Sequence, residues 1–275
     1  MDASCRRSFR WSPLFILGLL AFLSASSNAA MNLGQVEVLG GYKRRAEKGD
    51  VLAQFQLGNL YYTGKDMAKD WEQAVSWHRK AAEQGHAKAQ YYMGVYYMTG
   101  EGVAKDEVQA VFWFRKAAEQ GDSEAQADLG FCYASGSGVA KDEVEALKWT
   151  RKAAEQGNPA AQYNLGRKYF DGEGGGVKKD EVLALSLFRK AADQGYASSQ
   201  VMLGYCYVTG RAVTKDFVEA YAYWSLAGVS VEGARMNLVG LEKKMTAEQV
   251  DAGKKRAKEL LKEIEAKIAA KKAGK

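Results

Sequence analysis

The heptapeptide "RKAAEQG" occupies residues 79–85, 115–121 and 151–157, and a fourth copy, "RKAADQG", occupies 189–195. A second motif, A-Q-x-x-[LM]-G, begins at Ala53, Ala89, Ala125 and Ala161, and a Ser-Gln variant begins at Ser199. An aspartate recurs at intervals of 36, 36, 38 and 36 residues, at Asp70, Asp106, Asp142, Asp180 and Asp216. Repeats of this length are typical of solenoids, in which each unit packs against its neighbours.

Each repeat is predicted to form two helices. In the first repeat, Ala53, Leu57 and Tyr61 are spaced i, i+4, i+8 and therefore share one face of the first helix. Asp70 precedes the second helix, and Gln73 follows it at the spacing of a capping box. The paired alanines of the heptapeptide allow close helix packing, and its glycine permits the left-handed conformation that ends a helix. Its Arg-Lys and Glu-Gln pairs are expected to serve solvation and helix-end contacts.

The combined pattern A-x-x-x-L-G-x-x-Y-x-x-G, then D-x-x-x-A-x-x-W-x-x-K-A-A-x-Q-G, resembles the Sel1-like repeat family. These are relatives of tetratricopeptide repeats, and the resemblance implies antiparallel helix pairs stacked into a right-handed superhelix. The fold class expected is therefore all-α, a right-handed α/α solenoid of about five repeats. Departures are local: Leu187 and Tyr223 replace the tryptophan, and "WSLAGV" (224–229) lacks the Gln-Gly ending.

The predicted boundaries follow the motifs. They are a signal peptide at 1–30, a partial capping repeat at 31–49, repeats at 50–85, 86–121, 122–157, 158–195 and 196–231, and a degenerate repeat with a capping helix at 232–275.

The first thirty residues have the pattern of a secretory signal peptide. A basic segment, "CRRSFRW", precedes the apolar run "LFILGLLAFL" (14–23) and the small-residue segment "SASSNAA". Cleavage is expected after Ala29 or Ala30, giving a secreted or periplasmic protein without stable membrane insertion. The alternative is an uncleaved anchor, although ten apolar residues fall short of the ~20 that a spanning helix needs.

The net charge of +6 does not indicate nucleic-acid binding. Residues 1–30 contain 3 basic and 1 acidic side chains, and residues 242–275 contain 11 and 6. The remaining body contains 25 basic and 26 acidic side chains and is therefore nearly neutral. A protein that binds nucleic acid through phosphate contacts needs a basic surface, so nucleic acid is not an expected partner.

No catalytic, metal or cofactor site is predicted. His78 aligns with the packing residues Phe114 and Thr150, and His86 lies at a helix-capping position. Cys132 and Cys206 lie two repeats apart, too far for a disulfide. Some exported Sel1-like proteins are described as β-lactam-binding or β-lactam-hydrolysing, but no lysine here completes S-x-x-K. A non-enzyme is therefore expected, and a hydrolase acting on β-lactams or cell-wall peptides is the alternative.

The resemblance to tetratricopeptide repeats places three residues of each first helix on a concave, partner-binding groove. These positions vary between repeats, whereas the packing positions recur. The predicted groove residues are Phe55, Asn59, Tyr62, Tyr91, Val95, Met98, Phe131, Tyr163, Arg167, Phe170, Val201 and Tyr205, with Ala127, Ala134 and Val208 at the remaining positions. The expected function is a scaffold that binds a protein or peptide there; the alternative is that some of these aromatic residues only pack between repeats.

The C-terminal segment is predicted to be a helix that begins with a capping box, Thr246 and Gln249. An apolar stripe of Ala257, Leu261, Ile264 and Ile268 is expected to cover the last repeat, as solenoids require for solubility. The alternative is a basic amphipathic helix that contacts anionic surfaces.

Overall fold

The computed structural model describes residues 33–64 and 68–274, which form helices and connecting turns without any β-strand. The predicted signal peptide lies outside these residues. The helices are α1 Leu33–Glu47, α2 Val51–Thr63, α3 Trp71–Glu83, α4 Ala87–Thr99, α5 Glu107–Glu119, α6 Ser123–Ser135, α7 Glu143–Glu155, α8 Pro159–Asp171, α9 Glu181–Ala192, α10 Ala197–Thr209, α11 Phe217–Ala227, α12 Glu232–Glu242 and α13 Ala247–Ala273.

The chain divides into two compact units, with the boundary between Gln84 and Gly85. Unit 1 contains α1 to α3, and unit 2 contains α4 to α13. The prediction of an all-α fold with two helices in each repeat is confirmed. The first helices are α2, α4, α6, α8 and α10, and each packs against the second helix that follows it. Within unit 2, α5, α7 and α9 also pack against the first helix of the next repeat.

The motif glycine lets the two helices of a repeat approach closely. A Cβ atom added to Gly94 would lie 2.4 Å from Cδ1 of Phe114. The same approach occurs in every repeat: an added Cβ would lie within 2.3–2.7 Å of the second helix at Gly58, Gly130, Gly166 and Gly204. Real Cβ atoms do not tolerate such distances, so the glycine leaves space between the helices for a second-helix side chain, which is Phe114 beside Gly94 and Thr150 beside Gly130.

The predicted aspartate caps are present, but the second half of the predicted capping box is absent. Asp106 Oδ1 accepts hydrogen bonds from the backbone N–H groups of Val108 and Gln109, both at 3.0 Å. The backbone N–H of Asp106 donates to the carbonyl of Tyr97 on the first helix, at 2.8 Å. In a capping box the Gln109 side chain would accept from this backbone N–H of Asp106. Because the N–H already donates to Tyr97, the second half of the box does not form. The complete box forms at the start of α13, between Thr246 and Gln249.

A buried glutamine near the start of a first helix links that helix to its neighbours, and Gln126 shows the arrangement. The Nε2 atom of Gln126 donates to the carbonyl of Ala118, at the end of the preceding second helix, at 3.0 Å. Its Oε1 atom accepts from Nε2 of Gln156, the glutamine of the heptapeptide in the same repeat, at 2.7 Å. The equivalent pairs, at 2.6–3.0 Å, are Gln54 with Gln84, Gln90 with Gln120, and Gln162 with Gln194.

The arginine and lysine of the heptapeptide also make specific contacts, unlike the solvation role expected from the sequence. Arg115 donates to the hydroxyl of Tyr133 in the next repeat at 2.7 Å, and Arg151 donates to that of Tyr169 at 3.3 Å. Lys152 lies 4.4 Å from the ring centroid of Trp149 on its own helix. The heptapeptide therefore recurs because most of its side chains contribute to packing within or between repeats.

The C-terminal helix α13 packs on α11, so the terminal repeat is covered as predicted. Its buried residues are Gly253, Ala257, Leu260 and Ile264. The prediction was wrong for Leu261, which is 45% exposed, because the buried stripe passes through Leu260, one residue earlier. None of the helices within the two described ranges combines the length and apolarity that a bilayer crossing requires.

Replacing Gly94 with alanine tests the close approach of the two helices. Because the added Cβ meets the Phe114 ring, we expect the free energy of unfolding to fall by about 1–3 kcal/mol in urea denaturation. Gly240 on α12 has open space around its Cβ position, so Gly240→Ala should be neutral or stabilising by up to about 1 kcal/mol. Equal effects of the two substitutions would contradict the packing role of the motif glycine.

Replacing Gln126 with alanine tests the buried glutamine link. We expect a loss of about 2 kcal/mol in the free energy of unfolding, since two hydrogen bonds disappear and a cavity forms. Gln109→Ala, at an exposed position on α5, is the control and should change stability by less than about 0.5 kcal/mol. A Gln126 variant as stable as the control would show that the link contributes little.

Candidate partner-binding face

The first helices of unit 2 lie side by side and present one continuous surface. Asn158, the N-cap of α8, donates from Nδ2 to the carbonyl of Ser123 on α6 at 3.3 Å. The ring of Phe170 on α8 lies 6.2 Å from that of Tyr205 on α10. We name this surface the first-helix face and define it by Lys88, Tyr91, Val95, Glu124, Asp128, Phe131, Tyr163, Arg167, Val201 and Tyr205.

Three residues at one repeat position form the exposed centre of this face. Phe131 is 60% exposed and Tyr205 is 41% exposed, and Arg167 lies exposed between them in the repeat order. Each directly follows the motif glycine of its helix. Since a large exposed aromatic side chain contributes little to the core, Phe131 and Tyr205 are available for contact with another molecule.

Other predicted groove residues are half-buried and pack against the second helix of their own repeat. The Tyr91 ring lies 5.9 Å from the Phe114 ring, and the Tyr163 ring lies 6.0 Å from the Phe188 ring. Val95, Met98 and Val201 are also half-buried. These residues therefore contribute to packing as well as to the surface, which agrees in part with the alternative drawn from the sequence.

Phe170 does not belong to the exposed surface, unlike the sequence expectation. It is only 3% exposed, and the guanidinium carbon of Arg211 lies 3.7 Å from its ring centroid. Glu181 holds this arginine by accepting a hydrogen bond from Nη2 at 2.6 Å. Arg211 and Tyr205 cover the ring, so Phe170 supports Tyr205 from below.

The predicted groove residues of unit 1 are described separately because that unit is compact on its own. The Phe55 ring lies 5.5 Å from the His78 ring, and Asn59 Oδ1 lies 3.2 Å from His78 Nε2. Tyr62 meets Trp71 edge-on at 5.2 Å. All three residues are half-buried, and each contacts the second helix of its own repeat, α3.

The charge of Arg167 is balanced within its own helix. Its Nε and Nη2 atoms donate to Asp171 Oδ2 at 3.1 and 3.0 Å. A hydrogen bond with Tyr163 and the contact with Asp171 raise the pKa of the guanidinium. A carboxylate bound at Arg167 would therefore compete with Asp171.

Three carboxylates, Asp122, Glu124 and Asp128, lie close together where α4 contacts α6. Lys88 lies 3.4 Å from Asp122, forms an ion pair with Glu124, and lies 4.4 Å from the Tyr91 ring centroid. Burial, together with the neighbouring charge of Glu124, raises the pKa of Asp128 to about 6, although a hydrogen bond from the Tyr91 hydroxyl acts in the opposite direction. Burial and the adjacent Asp128 also raise the pKa of Tyr91.

Sequence reasoning missed Glu124 and Asp128, although a signal was present. Asp128 occupies the repeat position of Gln56, Tyr92, Asn164 and Met202, and is therefore one of the residues that vary between repeats. The analogy with tetratricopeptide repeats selected the preceding position, where repeat three has the small residue Ala127. Testing every non-repeating position for charge would have identified Asp128.

The remaining reactive side chains of the described residues are buried or used in the structure. Cys132 and Cys206 are buried free thiols, and burial raises the pKa of Cys132 to about 12 and that of Cys206 to about 11. His86 caps α4 through Nδ1, which accepts from the Ala89 N–H at 3.1 Å. In residues 33–64 and 68–274, no three His, Cys, Asp or Glu side chains are placed to hold a metal ion.

Replacing Asp128 with asparagine tests the cost of the half-buried carboxylate. Since the pKa of about 6 exceeds its ordinary value of 3.8, the folded state binds the proton more tightly, and stability falls as the pH rises through 6. We expect Asp128→Asn to increase the free energy of unfolding by about 1–3 kcal/mol at pH 8 and to have little effect near pH 4. Urea denaturation at both pH values measures the difference; the exposed Glu119→Gln substitution is the control. A pH-independent effect of Asp128→Asn would contradict this reasoning.

Comparison with known proteins gives five consecutive matches to the Sel1 repeat, at residues 51–86, 87–122, 123–158, 159–196 and 197–228. A stretch of 66 residues, 24% of this chain, is 40% identical to the secretory immunoglobulin A-binding protein EsiB of Escherichia coli O6:H1, and covers 12% of that protein.

Two solved structures are similar over most of the chain. The protective antigen c5321 of uropathogenic Escherichia coli, described as displaying an SLR fold, is 38% identical with a TM-score of 0.73. The match covers 85% of this chain and 50% of c5321, so the chain spans half the length of that antigen. A Sel1 repeat protein from Oxalobacter formigenes is 33% identical with a TM-score of 0.66, covering 78% of this chain and 85% of that one. With five matched repeats across helices of the expected arrangement, the chain belongs to the Sel1 repeat family.

Proposed function

We propose that this chain is an exported, non-enzymatic scaffold whose first-helix face binds an extended segment of a partner protein. Sel1 repeats mediate protein binding, and this chain contains five of them. The observation that carries the proposal is the exposure of Phe131 and Tyr205 at the same repeat position of α6 and α10, the first helices on either side of α8. Aromatic side chains dominate the contacts of many protein interfaces because they bury a large area with little loss of conformational entropy.

The relatives support binding more than catalysis. One is named for binding secretory immunoglobulin A and another is described as a protective antigen; neither name denotes an enzyme. Both descriptions agree with the signal-peptide pattern of residues 1–30.

The two buried cysteines also favour a non-enzymatic role. Burial keeps the thiols of Cys132 and Cys206 protonated at neutral pH, which makes them poor nucleophiles.

Site-specific photo-crosslinking in the native host tests the proposed surface. A benzoylphenylalanine residue at position 131 should crosslink to a partner protein, because this position is exposed at the centre of the first-helix face. The control is the same residue at position 144 on α7, where Val144 is similarly exposed but belongs to a second helix. The same crosslinked products from both positions, or none from position 131, would contradict the proposal.

A double substitution, Phe131→Ala with Tyr205→Ala, separates binding from stability. Phe131 is largely exposed and Tyr205 has one packing contact, with Phe170, so the protein should stay folded and its unfolding temperature should fall by less than about 5 °C. Recovery of the crosslinked partner by affinity purification should nevertheless fall strongly. The matched control is Val144→Ala with Val182→Ala, which removes two exposed apolar side chains from second helices. Unfolding of the first double variant would show that its aromatic residues belong to the core.

A further inference from the structure

The first-helix face is more negative around Phe131 than the neutral body of the chain would suggest. Glu124 and Asp128 lie on α6 with Phe131, and Asp122 caps the same helix. Lys88 contacts Asp122 and Glu124. One lysine therefore faces three carboxylates, and the surface beside the most exposed aromatic ring of the face has an excess of negative charge.

The basic side chains further along the face do not offset this charge. Arg167 is paired with Asp171 at 3.0 Å. Arg211 is paired with Glu181 at 2.6 Å and lies over the Phe170 ring. Arg167 is therefore balanced within its own helix, whereas Glu181 is shared by Arg211 and Lys179, whose Nζ lies 2.9 Å from it. The excess of negative charge lies at α6, beside Phe131, and an incoming segment that packs on Phe131 would meet it.

The aromatic rings favour the same kind of ligand as the carboxylates. Lysine and arginine side chains bind over aromatic rings through cation–π interactions, which strengthen as water is displaced. Their aliphatic stems also pack on apolar surface while their charged ends reach neighbouring carboxylates. Lys88 shows this arrangement within the chain, because it lies over Tyr91 and pairs with Glu124.

We propose that the partner segment is basic, with lysine or arginine side chains that contact Glu124 and Asp128 beside an apolar or aromatic side chain that packs on Phe131. This inference rests on the proposed function and adds the chemistry of the partner. The geometry of α6 supports it, since residues 124, 128 and 131 are spaced i, i+4, i+7 on one helical face.

The raised pKa of Asp128 agrees with a role in binding a positively charged segment, because ionising this carboxyl group costs free energy in the free protein. Its carboxyl group is half-buried, and burial together with the surrounding negative charge raises its pKa to about 6. A positive group from a ligand would lower that pKa and stabilise the ionised form. Binding of a basic segment should therefore restore the stability that the free protein loses at this position.

Selection from a random peptide display library tests the proposed chemistry and does not require the natural partner. Peptides of about twelve residues are long enough to cross three neighbouring first helices. They are selected on the purified wild-type chain and, separately, on the Phe131→Ala variant. Peptides recovered by the wild type alone depend on the first-helix face, and we expect Lys and Arg to be at least about threefold more frequent than Asp and Glu among them.

The outcomes separate this inference from the proposed function. Phe131-dependent peptides that are neutral or acidic would overturn the inference and leave the proposed function supported. Absence of any Phe131-dependent peptide would count against both. Enrichment of basic peptides that bind equally to Phe131→Ala would also overturn the inference, because the charge recognised would lie elsewhere.

Charge substitutions then test the named carboxylates with a selected basic peptide as the probe. Glu124→Gln with Asp128→Asn should weaken its affinity about tenfold in fluorescence anisotropy, and added salt should reduce this difference. The control, Glu119→Gln with Glu155→Gln, removes the same charge from exposed ends of second helices and should have a small effect. Equal affinity losses in the two double variants would show only a general charge effect and would overturn the assignment to Glu124 and Asp128.

Discussion

The hydrogen bond between a buried first-helix glutamine and the heptapeptide glutamine, present in the first four repeats, is the interaction on which the repeat geometry depends. In the third repeat, Gln126 bonds to the end of the preceding second helix and accepts from Gln156 of its own second helix. A buried amide without partners is costly, so both contacts have to form together. This requirement fixes three helices relative to one another and explains why A-Q and E-Q-G recur as a pair.

Much of the fold could be predicted because its determinants are local. Helix caps such as Asp106 and the glycine that follows the second helix in the first four repeats act within a few residues of themselves, so spacing alone reveals them. The partners of Gln126 and Arg115 could not be predicted in the same way. Gln126 meets a residue 30 positions away and Arg115 one 18 positions away, and only packed helices bring them together.

The first-helix face was partly predictable, because the position of a residue within the repeat indicates which side of its helix it occupies. Repeat position identified Phe131 and Tyr205, since helical spacing determines which side of a first helix they occupy. It could not show that Phe170 is buried, because Arg211 covers its ring from the loop of the next repeat. Similarly, the position of Leu261 depends on how α13 rotates against α11, and a shift of one residue along the helix exchanges the buried and exposed side chains.

The division between repeated and non-repeated residues has an energetic consequence for Asp128. The glutamine links, glycine contacts and arginine–tyrosine bonds lie away from the exposed centre of the first-helix face, so they can hold the helices while that face varies. A half-buried carboxylate that lowers stability as the pH rises through 6 can then persist, because these repeated contacts do not include it. The same independence would allow another repeat of this chain to carry a different charge without rearranging its helices.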